Sequence, residues 1–228
     1  MNESTLGQIR SFVIRTSRMS PAQKRGWELY ADRFIVPFRD SPVVTKEEFF
    51  PDAAPGRPLK LDIGFGMGRE LATLAAEEGE TDFIGVEVHK PGIGRLLLDL
   101  GERALDNVRI VPHDAVEVCR SMLPMEQIDG IHLFFPDPWP KARHAKRRLV
   151  RPGFPELIAP IMKKSAYLYI VTDWQDYAEQ ILRVMDSPLF RNRYDGYAEP
   201  QRWRPQTAFE RKGLARGHRI YEFVYEKR

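Results

Sequence analysis

The stretch Leu61-Asp62-Ile63-Gly64-Phe65-Gly66-Met67-Gly68 ends an apolar run with three glycines at alternate positions. A short apolar run closing in glycine is how a buried strand turns into a helix, because glycine tolerates φ > 0 and lets the backbone approach a ligand closely. Outward from it, strand and helix patterns alternate. Strands are expected at 59–65, 83–88, 108–112, 128–135, 166–172 and 219–225, and helices at 69–78, 93–104, 115–122, 154–163 and 174–185. Repeated β-α units of this length imply an α/β protein with a doubly wound, mostly parallel sheet. Ligands of such sheets bind beyond the carboxyl ends of the strands, where strand order reverses. The loops after Phe65, Val88, Pro112 and Phe135 should therefore share one cleft.

Ahead of this unit the pattern differs. Residues 1–19 are polar and basic, with Arg10, Arg15 and Arg18 among Phe12, Val13 and Ile14. They read as an N-terminal basic arm, serving either as solubilising filler or as an RNA contact that orders on binding. Ser20-Pro21 is an N-cap followed by a first-turn proline, and a helix should run to about Phe34. The proline-rich stretch 36–58 reads as linker. Two regions follow: 1–58 as arm, helix and linker, and 59–228 as the main domain.

Composition excludes several classes. No apolar run approaches the roughly 18 residues of a membrane helix, and the N-terminus lacks a signal-peptide core, so a cytoplasmic protein without membrane contact is expected. Cys119 is the only cysteine, which excludes an internal disulfide and a thiolate metal site, and no metal is expected. Net charge is only +3, so any argument for nucleic acid must come from where the charge lies. Whether the chain is a monomer or a homodimer is open.

The glycine spacing is G-x-G-x-G, not the G-x-G-x-x-G of dinucleotide enzymes. Acids accompany it at the ends of consecutive expected strands: Asp62, Glu87, Asp114 and Asp137. Glu87 is placed to accept ribose hydroxyls, Asp114 to reach an adenine amino group, and Asp62 to meet an ammonium directly or through water. One such acid could be a helix cap; four together suit a cationic cofactor and would repel a pyrophosphate. S-adenosyl-L-methionine is favoured over NAD, with Gly64 and Gly66 approaching it.

Phe134-Phe135-Pro136-Asp137-Pro138-Trp139-Pro140 follows the fourth expected strand and leads into five Lys/Arg within Lys141 to Arg148. Flanking prolines pre-set the shape around Asp137. Trp139 offers a face for a base, and the cations offer partners for phosphate.

These segments, with Gly85-Val86-Glu87-Val88-His89, His113-Asp114-Ala115, Thr172-Asp173-Trp174 and Thr207-Ala208-Phe209-Glu210-Arg211-Lys212-Gly213, resemble the bacterial tRNA (guanine-N7-)-methyltransferase family over nearly the whole chain. The resemblance implies a Rossmann-like class I methyltransferase and tRNA as partner. It implies cofactor contacts at Asp62, Glu87, Asp114 and Asp137, with Asp137 also catalytic. It implies substrate contacts at Lys141, Asp173 and Thr207 to Glu210 (Phe209 included), and RNA contact along Arg143, His144, Lys146, Arg147 and Arg148. Asp173 and Glu210 would face the N1–H and N2–H2 donors of guanine. The family's late motif carries lysine where this chain has Ala208. Two alternatives remain beside this reading: a methyltransferase of exocyclic base amines, and a non-catalytic RNA-binding protein on the same scaffold.

Overall fold

The computed structural model describes residues 10–12, 18–40 and 45–228. Most of the expected basic arm lies outside them. Among the described residues, seven strands form one sheet: β1 (Leu59–Ile63), β2 (Asp82–Val86), β3 (Val108–Val111), β4 (Ile128–Phe134), β5 (Met162–Thr172), β6 (Phe190–Asn192) and β7 (Tyr221–Lys227), in the order β3-β2-β1-β4-β5-β7-β6. The first five are parallel, and β7 runs antiparallel between β5 and β6. Strand order reverses between β1 and β4, which sets the glycine loop beside the Pro-Asp-Pro loop.

Eight α-helices are formed by the described residues: α1 (Pro21–Phe34), α2 (Lys46–Phe49), α3 (Arg69–Glu77), α4 (Lys90–Glu102), α5 (Ala115–Ser121), α6 (Phe154–Ile158), α7 (Gln175–Met185) and α8 (Ala208–Ala215). One face of the sheet packs Leu61, Ile131, Leu133 and Leu168 against residues of α5, α6 and α7. On the other face, Phe83, Val108 and Ile110 pack with residues of α3 and α4, and with Phe34 of α1. The β5–β7 part of that face is covered by the chain around Ala198, with Ile220 at its margin.

Ser20 caps α1 as expected: its side chain accepts from the Gln23 amide while Gln23 accepts from the Ser20 amide. The helix crosses α4 where both carry glycine. A Cβ on Gly26 would stand 2.0 Å from the Gly94 carbonyl oxygen. Trp27 secures the crossing by donating its indole N–H to the Lys90 carbonyl at 3.0 Å. Ile35 then bridges to Ile110 on β3. The proline-rich stretch after it contains α2 and buries Phe49 and Phe50 in the core.

Beside α2 in the expected linker, further elements differ from the sequence expectation. The helix expected at 154–163 ends at Ile158; a 3-10 turn covers Ala159–Ile161 and Met162 already belongs to β5. Pro160 has no N–H with which to carry the α-helical ladder on, and Met162 pairs with Ile128. The strand then bulges through exposed Lys163, Lys164 and Ser165, with Ser165 at φ +64°, before Tyr167 resumes pairing at Gly130. Strand β6 and helix α8 are additions to the expected elements, α8 opening on a Thr207–Glu210 capping box. Among the described residues no helix is long and apolar enough to cross a membrane.

Gly26→Ala tests the α1–α4 contact by its sign. On an open helix the change stabilises by about 1 kcal/mol. Here the added carbon meets backbone, so the variant should lose about 1–3 kcal/mol in urea unfolding; a gain would contradict the close crossing.

Candidate functional site

Gly64, Gly66 and Gly68 all adopt positive φ, at 74°, 59° and 73°. A Cβ on Gly64 or Gly66 would meet nothing within 4 Å, so the inner side of this turn is open space. Its outer side is tight: a Cβ on Gly92 of α4 would stand 1.9 Å from the Gly66 carbonyl oxygen. Glu87, just past β2, ties the loop down. Its carboxylate accepts from the Gly66 amide at 2.9 Å, the Val88 amide at 2.7 Å and the His89 amide at 2.9 Å. A carboxylate has about four lone-pair sites, so in this arrangement about one remains for a hydroxyl. The expectation that Glu87 meets a ribose is therefore joined by a structural duty that its position alone did not reveal.

Asp62 is 3% exposed in the middle of the sheet. The one cationic or ionisable partner within ion-pair reach, among the described residues, is His132 Nδ1 at 3.8 Å. A carboxylate in so dry a place is costly without a donor, and a cofactor ammonium would supply one. Asp114 caps α5, accepting from the Val116 amide at 2.8 Å. Burial raises its pKa, against the lowering effect of that bond and more weakly of Arg10. Arg10 therefore stands close enough to be felt at the cofactor side. This open, glycine-walled turn with carboxylates on three neighbouring strands fits an adenosine bearing a cationic amino-acid tail.

On the substrate side, Asp137 is exposed at the tip of its loop. Phe135 and Trp139 on either side of it take left-handed φ of 52° and 46°. Non-glycine residues hold such angles only where their surroundings impose them. Phe135 donates its amide to the Val171 carbonyl at 2.8 Å, and the Trp139 indole donates to the Ser11 carbonyl at 3.1 Å. Arg147 lies over one face of Trp139, its guanidinium carbon 4.9 Å from the ring centroid. The base-stacking face expected of Trp139 is thus occupied on one side.

The basic run forms a 3-10 helix, Ala142–Arg147, with Lys141 at its N-cap. Lys141, Arg143 and Lys146 are exposed, and His144 and Arg147 partly so. Desolvation and the charges of Arg143, Arg147, Lys141 and Lys146 lower the pKa of His144. Arg148 corrects the sequence reading. It is 2% exposed, donates Nε to the Pro138 carbonyl at 2.8 Å and Nη1 to Gln180 at 2.9 Å, and pairs with Asp176. It cannot reach RNA from there; it braces the Pro-Asp-Pro loop from behind.

The late motif holds a second correction. Thr207 caps α8, its hydroxyl accepting from the Glu210 amide at 2.9 Å. Glu210 is buried, and both its oxygens are taken by Arg204, at 2.6 and 2.9 Å. In this arrangement it does not face a guanine edge. Arg204 also donates to Glu222 at 2.7 Å and to the Tyr169 hydroxyl at 3.1 Å. Burial would lower the pKa of Arg204, but the bonds to Glu210 and Glu222 outweigh it and raise it. The segment presents Ala208 and Phe209, the latter 63% exposed. Asp173, after β5, pairs with His218 Nδ1 at 3.0 Å and packs against Gly213 of α8. A cleft of about 470 Å³ opens there, lined by Asp173, Trp174, His218, Arg219 and Tyr221 among others.

Residues 56–223 match a family described as "Putative methyltransferase". The chain is 47% identical over 222 residues to the tRNA (guanine-N(7)-)-methyltransferase of Paraburkholderia xenovorans, covering 97% of this chain and 84% of that one. It is 48% identical over 224 residues to the Burkholderia vietnamiensis protein of the same name, covering 97% and 86%. The chain belongs to the tRNA (guanine-N7-)-methyltransferase family. Among solved structures the fold is shared with the 16S rRNA methyltransferase KamB (TM-score 0.59, 14% identity, 80% of this chain and 94% of that one). TrmN from Thermus thermophilus also shares it (TM-score 0.55, 18% identity, 77% and 46%). These confirm a Rossmann-like class I methyltransferase architecture.

In this member of the tRNA (guanine-N7-)-methyltransferase family, Asp62, Gly64, Gly66 and Glu87 gather at the β1–β2 end, Asp114 sits beyond β3, and Asp137 follows the neighbouring β4. Arg204, His132 and His218 escaped sequence reasoning, since an isolated arginine or histidine carries no local signature of its partners.

Arg147 and Arg148 should separate cleanly. Arg148→Ala removes charge-assisted bonds and should cost about 2–3 kcal/mol in urea unfolding, whereas Arg147→Ala should stay within about 0.5 kcal/mol yet weaken tRNA binding. Equal stability losses would contradict the burial contrast.

Proposed function

We propose that this protein transfers a methyl group from S-adenosyl-L-methionine to N7 of a guanosine in tRNA, the variable-loop guanosine at position 46 being the site that the resemblance implies. The observation that carries the reading is the juxtaposition at the β1–β4 divide. The open glycine turn with buried Asp62 lies on one side, and exposed Asp137 leads into the basic 3-10 helix on the other.

Asp62, Glu87 and Asp114 would hold the cofactor, which supplies a methyl on a cationic sulfur. Guanine N7 has an in-plane lone pair and no proton at neutral pH, so no general base is required. The protein's task is to hold the base in line and exclude water, an effect worth up to about 7–11 kcal/mol where orientation is complete. The methylated base is cationic, so a carboxylate beside it favours the charge that develops there. Asp137 is assigned that role. Its loop is pinned by Phe135, Arg148 and Trp139, so little reorganisation is needed. Asp173, held by His218, is assigned to the N–H donors of guanine, and Lys141 with exposed Phe209 to substrate contact. Arg143, His144, Lys146 and Arg147 are assigned to RNA phosphates. The target base would leave its stack to enter the cleft, at a cost of a few kcal/mol.

The test is methyl transfer from labelled S-adenosyl-L-methionine to unmodified tRNA, with the product nucleoside identified and mapped. N7-methylguanosine in the variable loop is expected; a methylated exocyclic amine would overturn the substrate assignment, and tight tRNA binding without transfer would favour the non-catalytic alternative. Asp137→Asn should lower single-turnover transfer about 100-fold with cofactor affinity changed far less, and near-normal transfer would remove Asp137 from the chemistry. Arg143→Ala with Lys146→Ala should weaken tRNA binding and make its salt dependence shallower, the log–log slope falling by about one for each phosphate partner removed. An unchanged slope would return this helix to ordinary surface.

A further inference from the structure

His132 is 0% exposed, on β4, directly across from Asp62 in the parallel register with β1. Its Nε2 is 2.8 Å from the Tyr167 hydroxyl on β5. Its Nδ1 has no hydrogen-bond partner, although it is buried, and stands 3.8 Å from Asp62 Oδ2. Phe134 stacks against the ring at 5.2 Å, and Trp203 and Tyr167 close over it at 5.3 and 5.7 Å. A histidine sealed in aromatic rings and aimed at the carboxylate assigned to the cofactor has a use beyond filling space. An apolar residue would fill it without an orphaned polar atom.

Ring chemistry fixes which nitrogen carries the proton. Burial, reinforced by the charges of Glu78 and Asp62, raises the pKa of Tyr167, so its hydroxyl keeps its proton. No other acceptor for that proton is seen among the described residues, so the hydroxyl donates to Nε2. With Nε2 taken as the acceptor, the ring bears a hydrogen on Nδ1, facing Asp62. The opposite tautomer would set an Nδ1 lone pair against a carboxylate in a dry interior, where repulsion is strong. At 3.8 Å the contact is electrostatic rather than a hydrogen bond. It orients and stabilises the carboxylate while leaving its lone pairs free for an incoming donor.

We propose that His132, set by Tyr167, is a positioning residue that holds Asp62 as the acceptor for the ammonium group of the cofactor's amino-acid tail. This rests on the cofactor reading above and adds to it the group through which β4 and β5 take part in cofactor recognition. It also accounts for a histidine in the middle of a central strand, a place the sequence pattern gives to apolar residues.

The test compares binding of S-adenosylhomocysteine with binding of its desamino analogue, by calorimetry, in the wild type, His132→Phe, His132→Asn and Tyr167→Phe. His132→Phe keeps an aromatic ring, slightly larger and without nitrogen, and should weaken S-adenosylhomocysteine about tenfold, which corresponds to about 1.4 kcal/mol, while leaving the desamino analogue within about twofold. His132→Asn, which retains an N–H near the Nδ1 position, should recover much of the loss. Tyr167→Phe should show a smaller loss of the same kind, and serves as the reading if His132→Phe fails to fold. Equal losses for both ligands, or none for either, would overturn the positioning role while leaving the cofactor assignment intact. A wild type that binds neither ligand would overturn the cofactor assignment, and this proposal with it.

Discussion

The amides of Gly66, Val88 and His89 all converge on the Glu87 carboxylate, and the Gly66 carbonyl lies where only a glycine at position 92 leaves room. Much else depends on this clamp. It fixes the turn that carries β1 into α3, joins the ends of β1 and β2, and seats the turn on α4. Helix α4 is in turn gripped by α1 through Gly26, Gly94 and Trp27. An N-terminal helix far from the chemistry in sequence thereby supports the backbone that a cofactor would touch. The cost is conformational freedom at several glycines, which folding must offset.

A second set of supports serves the substrate side, built from buried arginines. Arg148 holds the Pro138 carbonyl and so shapes the loop that displays Asp137. Arg204 links Glu210 at the start of α8 to Glu222 on β7 and Tyr169 on β5. Buried charge pairs of this kind add little net stability over an apolar packing, but removing one partner is costly because it strands the other. Their value here is geometric: they hold exposed Asp137, Phe209 and Lys141 on rigid backing. Cations that resemble phosphate ligands in sequence divide, in space, into a supporting group and a displayed group.

The fold was legible because its signals are local and repeated. Glycine after an apolar run, Ser20-Pro21 before a helix and six short apolar runs each report on their own neighbourhood. The errors occur where a distant partner decides. Met162 joins a strand because Ile128 is beside it, and the three residues of β6 pair only because β7 returns along the edge. The acids of the candidate site stand out in the sequence as a set, since four at successive strand ends exceed what capping explains. Which lone pairs of Glu87 are taken, which arginine is buried and which histidine faces Asp62 depend on groups brought together across about 20 to 70 residues, and no spacing rule encodes that.

Central to all of this is that the glycine turn and its carboxylates select a cationic adenosyl cofactor over a pyrophosphate-bearing one. The most direct measurement is a titration of the purified chain with S-adenosyl-L-methionine and, under the same conditions, with NAD. One saturable site for S-adenosyl-L-methionine and no detectable binding of NAD are expected. Comparable affinity for both, or preference for NAD, would contradict that selection, because carboxylates arranged as Asp62, Glu87 and Asp114 are should repel the dinucleotide's phosphates.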